Sequence, residues 1–173
     1  MRYSGLILAV LIVGCDSSDF QATSVNGSWV GTVEFADWGD CSTVADKHCP
    51  VLDLKLSLQA GERRPRNVVN PSGVYVSGSG SYSWHHPSGY RRQEVDTTFT
   101  GTVAILGKYY GSTDWGSFEV SDWVSDAGHF FLNLRSPPNM NVSWSFNGDC
   151  RDNTLTGDFT GFGELADLVM TRQ

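Results

Sequence analysis

The sequence predicts an all-β protein, an antiparallel up-and-down meander barrel of eight to ten strands. Three observations predict it. Glycine (19 residues) and aromatic side chains (12% of 173 residues) are both abundant. Gly and Pro punctuate the chain at intervals of about ten residues, which is the spacing of short strands and turns. No window holds a helical period, whereas several alternate apolar and polar residues, the pattern of a half-buried strand. Closure into a barrel removes exposed sheet edges. An even ring is expected, because an odd one would set the first and last strands parallel.

The elements follow in order. Arg2 precedes an apolar run that reaches Gly14 and ends at Cys15. A basic start, a short apolar run and a small residue before a cleavage point make a secretory signal over residues 1–14. The run is shorter than the ~20 apolar residues needed to cross a bilayer. Residues 15–26 then read as a polar, flexible tether, and residues 27–173 as a single domain. Trp29, Gly31, Val33 and Phe35 share one face of the first strand. A long loop over 37–50 leads to the cleanest alternation in the chain, Leu52, Leu54, Leu56 and Leu58 against Asp53, Lys55, Ser57 and Gln59. Residues 61–66 make a basic turn. Val74, Val76, Gly78, Gly80, Tyr82 and Trp84 line the inner face of a third strand, where the two glycines allow a bend or a close backbone approach. His85 and His86 open a loop over 85–92. Val95, Thr97, Phe99, Gly101, Val103 and Ile105 form the fourth inner face. Phe118 and Val120 pair through a turn at 125–128 with Phe130, Leu132 and Leu134. Met140, Val142, Trp144 and Phe146 precede a turn over 147–153, and Leu155, Gly157, Phe159 and Gly161 precede a last segment over 168–172. Lys108-Tyr109-Tyr110 adds a strand, or the last two segments act as one.

Two resemblances sharpen this reading. Ile12-Val13-Gly14-Cys15 resembles the lipobox of bacterial lipoproteins. The resemblance implies that Cys15 carries a diacylglyceryl group, that the signal is cut before it, and that the new amino terminus is acylated with a chain such as palmitate. Several chains are needed, since one alone binds a membrane only marginally at about 0.8 kcal/mol per buried methylene. The expected location is the bacterial cell envelope, anchored to a membrane. Gly27-Ser28-Trp29 at the start and Arg172 at the end resemble the calycin pattern of lipocalins, fatty-acid-binding proteins and avidins. That likeness implies a barrel closed at one end by Trp29, with the Arg172 guanidinium over the indole.

Charge and chemistry exclude other classes. A net charge of −7 argues against nucleic acid, whose phosphates require clustered Lys and Arg. Beyond Cys15, three cysteines remain, in a compartment that favours disulfides. Cys41 with Cys49 closes the shortest loop; pairing of Cys150 with either is the alternative. His85 and His86 are adjacent, so in an extended segment they point apart and rarely reach one metal; exposed loop histidines are expected, with a copper or zinc role as the alternative. His48 and His129 lie elsewhere. Asn147, Asp149, Asp152 and Asn153 make an oxygen-rich turn, but without calcium-loop spacing. Asp-Trp occurs at 37–38, 114–115 and 122–123, each pair expected to pack its own turn or together to form an aromatic rim. There is no nucleophile motif and no paired carboxylate of defined spacing, so neither an enzyme, a metal nor a cofactor is expected. The expected function is a membrane-anchored module holding a small apolar ligand against Phe35, Phe99, Trp144 and Phe146. The alternative is a solid barrel that works through its loops on another envelope protein, as an interaction or inhibitor module.

Overall fold

The computed structural model describes residues 21–35, 49–64, 72–88, 94–113, 116–136, 143–161 and 164–173. The expectations for Cys15, Trp38, Cys41, His48, Trp115, Met140 and Val142 fall outside them. After a short 3-10 helix, Ala22–Val25, come eleven strands: β1 (Gly27–Glu34), β2 (Val51–Arg64), β3 (Gly73–His86), β4 (Thr97–Leu106), β5 (Lys108–Thr113), β6 (Gly116–Ser121), β7 (Trp123–Ser125), β8 (His129–Arg135), β9 (Ser143–Arg151), β10 (Thr154–Gly161) and β11 (Glu164–Arg172).

Eight wall positions close a ring of antiparallel pairs, β1–β2–β3–β4–β8–β9–β10–β11 and back to β1. The closing pair sets Trp29 opposite Arg172. The count is reconciled at one wall position. Along β3, β4 pairs with residues 77–86, and β7 continues the same line against Gly73, Val74 and Tyr75. Thus β4 and β7 are one barrel strand interrupted by an inserted hairpin, β5–β6. Phe118 and Val120 belong to that insertion, not to the hairpin around residue 125 as their alternation predicts. The latter is β7–β8, with Trp123 opposite Phe131.

The splice is held by Asp122. Its carboxylate accepts the backbone N–H of Leu106 (3.0 Å), Gly107 (3.2 Å) and Asn133 (2.6 Å), and the Asn133 side-chain amide (2.9 Å). Its own N–H donates to the Gly107 carbonyl (2.7 Å), and its carbonyl accepts the Val76 N–H (2.9 Å). Gly107, at φ 73°, turns the chain out of the wall in a conformation side chains disfavour. Where the backbone leaves the ladder, one side chain supplies the acceptors its neighbours lose; buried N–H groups left unpaired cost about 1–3 kcal/mol each. Burial pushes the Asp122 carboxyl above its ordinary 3.8, with the bonds from Asn133, Leu106 and Gly107 pulling it back.

The inner faces fill the barrel. The leucine row of β2 is buried, as are Trp29, Val33, Val76, Val103, Ile105, Leu132, Leu134, Phe146, Leu155, Phe159, Leu168 and Met170. Each fully buried side chain of this kind contributes about 1.5–3 kcal/mol. A Cβ on Gly78 or Gly80 would run into the β2 backbone at Ser57 and Lys55, so those glycines admit the close approach expected of them.

Several boundaries differ from expectation. β2 runs through the basic turn to Arg64, with a bulge between Ala60 and Arg63. There Arg63 makes a two-pronged bond to Asp126 (both 2.9 Å), and Arg64 lies 4.7 Å over the Trp123 ring. β3 includes His85 and His86, and β9 continues to Arg151, leaving only Asp152 and Asn153 in the turn. Val25, expected within a flexible tether over 15–26, is fully buried against the core.

Candidate functional site at the far end of the barrel

Up-and-down pairing sorts the connections between two ends. The chain enters at one end through Ala22–Val25, β2 ends and β3 begins there, and residues 126–128 and 152–153 turn there. Residues 35–50, 87–96, 136–142 and 162–163 connect strands at the other, far end.

The near end is closed. Val25 plugs it, and the buried Trp29 indole N–H donates to the Val25 carbonyl (2.8 Å). Arg172 lies 4.8 Å from the Trp29 ring centroid. Its Nε and Nη2 are buried without a hydrogen-bond acceptor, so the π face is what this cation rests on. Cys150 is a buried free thiol near this end, which burial pushes up toward the neutral form; a thiol of that kind is unreactive. Among the described residues no disulfide is formed.

The far end is lined with rings. Phe35 meets Phe159 edge-on (6.3 Å between centroids), Phe159 meets Trp144 (5.9 Å), and Trp144 meets Tyr82 (4.9 Å). Above them Trp84 stacks at a tilt on His86 (4.4 Å), and His86 meets Phe99 edge-on (5.5 Å). His86 therefore belongs to the inner face of β3 and not to a loop, and His85 points outward, with Nδ1 3.2 Å from the Thr98 hydroxyl.

The four rings expected to line a ligand site separate into two groups. Phe35, Trp144 and Phe146 are buried, and Phe146 packs on Phe130 (4.7 Å) deep in the core. All three belong to the buried core. Phe99 is the exception: it shares the inner parity of Val103 and Ile105 but is 50% exposed. Among the described residues β8 pairs with β4 at Ala104 opposite Arg135, and none pairs with residues 97–103 on that side. Val95, 68% exposed, stands just before β4 at the same end.

The remaining candidates are dispersed. Trp123 is covered by Arg64 at the near end. Asp149 pairs with His129 across β8 and β9 and lies 3.9 Å from Arg151. Asp152 sits in the turn at φ 51°. Among the described residues no group of three His, Cys, Asp or Glu side chains is placed to hold a metal. A shallow depression of 380 Å³ on the outer wall is lined by Asp53, Lys55, Ser81, Tyr82, Thr100 and Thr102 among others. Sequence reasoning missed the Trp84–His86–Phe99 stack because Pro87 reads as a loop; yet a residue before proline is biased toward extended backbone, and that signal was present.

Compared with protein-family models, with curated proteins and with solved structures, the chain has no match.

Proposed function

We propose that this chain is a lipid-anchored protein of the bacterial cell envelope whose packed barrel acts on another protein through its far end. The anchor is Cys15, read from the lipobox-like Ile12-Val13-Gly14-Cys15. The observation that carries the rest is the division of the aromatic residues. Phe35, Trp144 and Phe146 are buried in the core, while Phe99 and Val95 stay exposed at the end away from the tether. Exposed apolar groups gathered at one place mark interaction sites. A carrier of a small apolar ligand is instead expected to keep its rings around a space. The domain acts as a binding module and not as an enzyme in this reading.

Native mass spectrometry of the full-length protein from its source cell tests the choice. A mass of protein plus acyl chains alone is expected; a stoichiometric small molecule would return the reading to a ligand carrier. A photo-crosslinking side chain at position 99 is expected to trap one envelope protein, and the same group at position 62, at the near end, to trap none. Cys15→Ser is expected to abolish incorporation of labelled palmitate and to release the protein from the membrane fraction.

A further inference from the structure

Strand β11 is paired on both sides, with β10 from Glu164 to Thr171 and with β1 from Val169 to Arg172. Its inner face is turned to the core, where Leu168 and Met170 are buried and Ala166 packs beside them. Its outer face carries Leu165, Asp167 and Val169 in a line, and the two apolar residues are 66% and 51% exposed. We propose that this outer wall of β10, β11 and β1 is a second docking surface, and that it takes a segment of a partner protein with a lysine or arginine between two apolar side chains. The inference goes beyond the far-end reading and stands without it.

Three observations carry it. First, Leu165 and Val169 are exposed on a strand that has both its neighbours. Opposite them on β10 stand Thr160 and Thr156, and Thr32 of β1 faces Val169 from the other side. All three threonines are exposed as well and cover neither apolar group. Val30, half-buried, adds a further apolar side chain to the same face of β1. Exposed apolar groups gathered on one face mark interaction sites.

Second, the face carries negative charge that nothing on it answers. Asp167 stands between the two apolar residues, and Asp158 of β10 is its direct partner in the ladder. Both are exposed, and like charges directly opposite one another destabilise a strand pair. Among the described residues neither forms an ion pair. Glu34 is exposed on β1, two residues past the Thr32 that faces Val169. The three strands contain no lysine, and their one arginine, Arg172, lies over Trp29.

Third, charge and spacing choose the occupant. A second copy docked through the same face would set carboxylates against carboxylates, and that arrangement is repelled. A cation brought by a different protein relieves the repulsion between Asp158 and Asp167. Leu165 and Val169 are four residues apart on one strand, about 13 Å at ~3.3 Å per residue. An extended segment with apolar side chains four residues apart and a basic one midway matches that line.

The test uses full-length protein with carbon-13-labelled leucine and valine methyls. Its probe is a nine-residue peptide in which leucine and lysine take turns at every second position, with threonine between. The peptide is expected to shift the methyl signals of Leu165 and Val169 saturably, and raising the salt from about 0.05 M to about 0.5 M to weaken it about tenfold. Glutamate in place of lysine is expected to abolish the shifts. A peptide of the same composition with its lysines side by side is expected to bind about threefold more weakly. Asp167→Asn is expected to weaken binding about tenfold and to raise the urea midpoint of the free protein, because it removes the repulsion from Asp158. Leu165→Ser is expected to weaken binding and leave the midpoint where it was. No shift at Leu165 and Val169 with the lysine peptide at millimolar concentration overturns the proposal. Equal binding of the glutamate peptide, or unchanged affinity in Asp167→Asn, does the same. Self-association of the unaltered protein in sedimentation that Leu165→Ser removes would also overturn it, since that gives the face to a second copy.

Discussion

The two ends of the barrel are each built around an indole, to opposite effect. At the near end an indole, a guanidinium and a valine are buried against one another, with Trp29 bonded to Val25 and covered by Arg172. At the far end an indole, an imidazole and a phenyl ring stack, but the last ring of the series is half in water. The difference lies in what covers the last ring. At the near end Val25 and Arg172 close over Trp29, which is fully buried. At the far end no described residue pairs with β4 at 97–103 on the β8 side, and Phe99 is half exposed. An aromatic cluster is thus a core or a surface according to whether its last ring is capped.

Substitutions can break this comparison. The largest effect is expected from Trp29→Ala, which empties a fully buried site: about 3–5 kcal/mol, measured by urea unfolding. Asp122→Ala leaves buried N–H groups without an acceptor and is expected to cost about 2–4 kcal/mol, with loosening of β5–β6 in amide exchange. The titration of this group has a definite sign. Its folded carboxyl is held above 3.8, so the folded state binds the proton more tightly than the unfolded chain. Its contribution to stability is then largest below 3.8 and falls as pH rises through the folded value. Asp122→Asn is expected to remove that slope from the pH dependence of unfolding. Arg172→Ala removes the cation over Trp29 and is expected to cost about 0.5–2 kcal/mol.

At the far end the expected effects on stability are small. Phe99→Ser should lower stability by less than about 1 kcal/mol, because much of the ring is already exposed, yet it should abolish trapping of a partner by a crosslinker moved to position 95. A loss at position 99 as large as at Trp29 would erase the contrast between the ends. The smallest effect belongs to the inserted hairpin. The Lys108 ammonium, 3.1 Å from Glu119, lowers the Glu119 carboxyl below its ordinary 4.5. That contribution is present above 4.5 and is lost as pH falls through the folded value. A carbon-detected NMR titration should show the Glu119 midpoint returning upward in Lys108→Ala.

Much of this was legible from the amino acids. The leucines of β2 and the inner faces of β3 and β10 follow from alternation, which depends on one strand at a time, whereas the meeting of Trp29 with Arg172 was implied only by resemblance to the calycin pattern. Alternation gives the side a residue faces but not its height along the barrel. Phe99 and Ile105 read alike, although only Ile105 is covered. The splice was hidden for a different reason. That Trp123 continues the line of Leu106 depends on how both pair with β3, which is not local information. Asp122-Trp123 therefore looked like a turn motif, whereas its carboxylate is an internal brace. Arg63 and Arg64 looked like a basic turn because charge masks strand character when a bulge and an aspartate elsewhere receive it.

The pairing of β1 with β11 also sets an order of events. Gln173 donates its N–H to the Ser28 carbonyl (2.9 Å), so the final residue is bonded to the second residue of the first strand. A chain made from its amino terminus has no second neighbour for β1 until β11 is free. Contacts so distant in sequence are slow to form. The ring therefore stays unlocked through most of synthesis, and the β1–β11 ladder closes after the rest of the wall has been laid down.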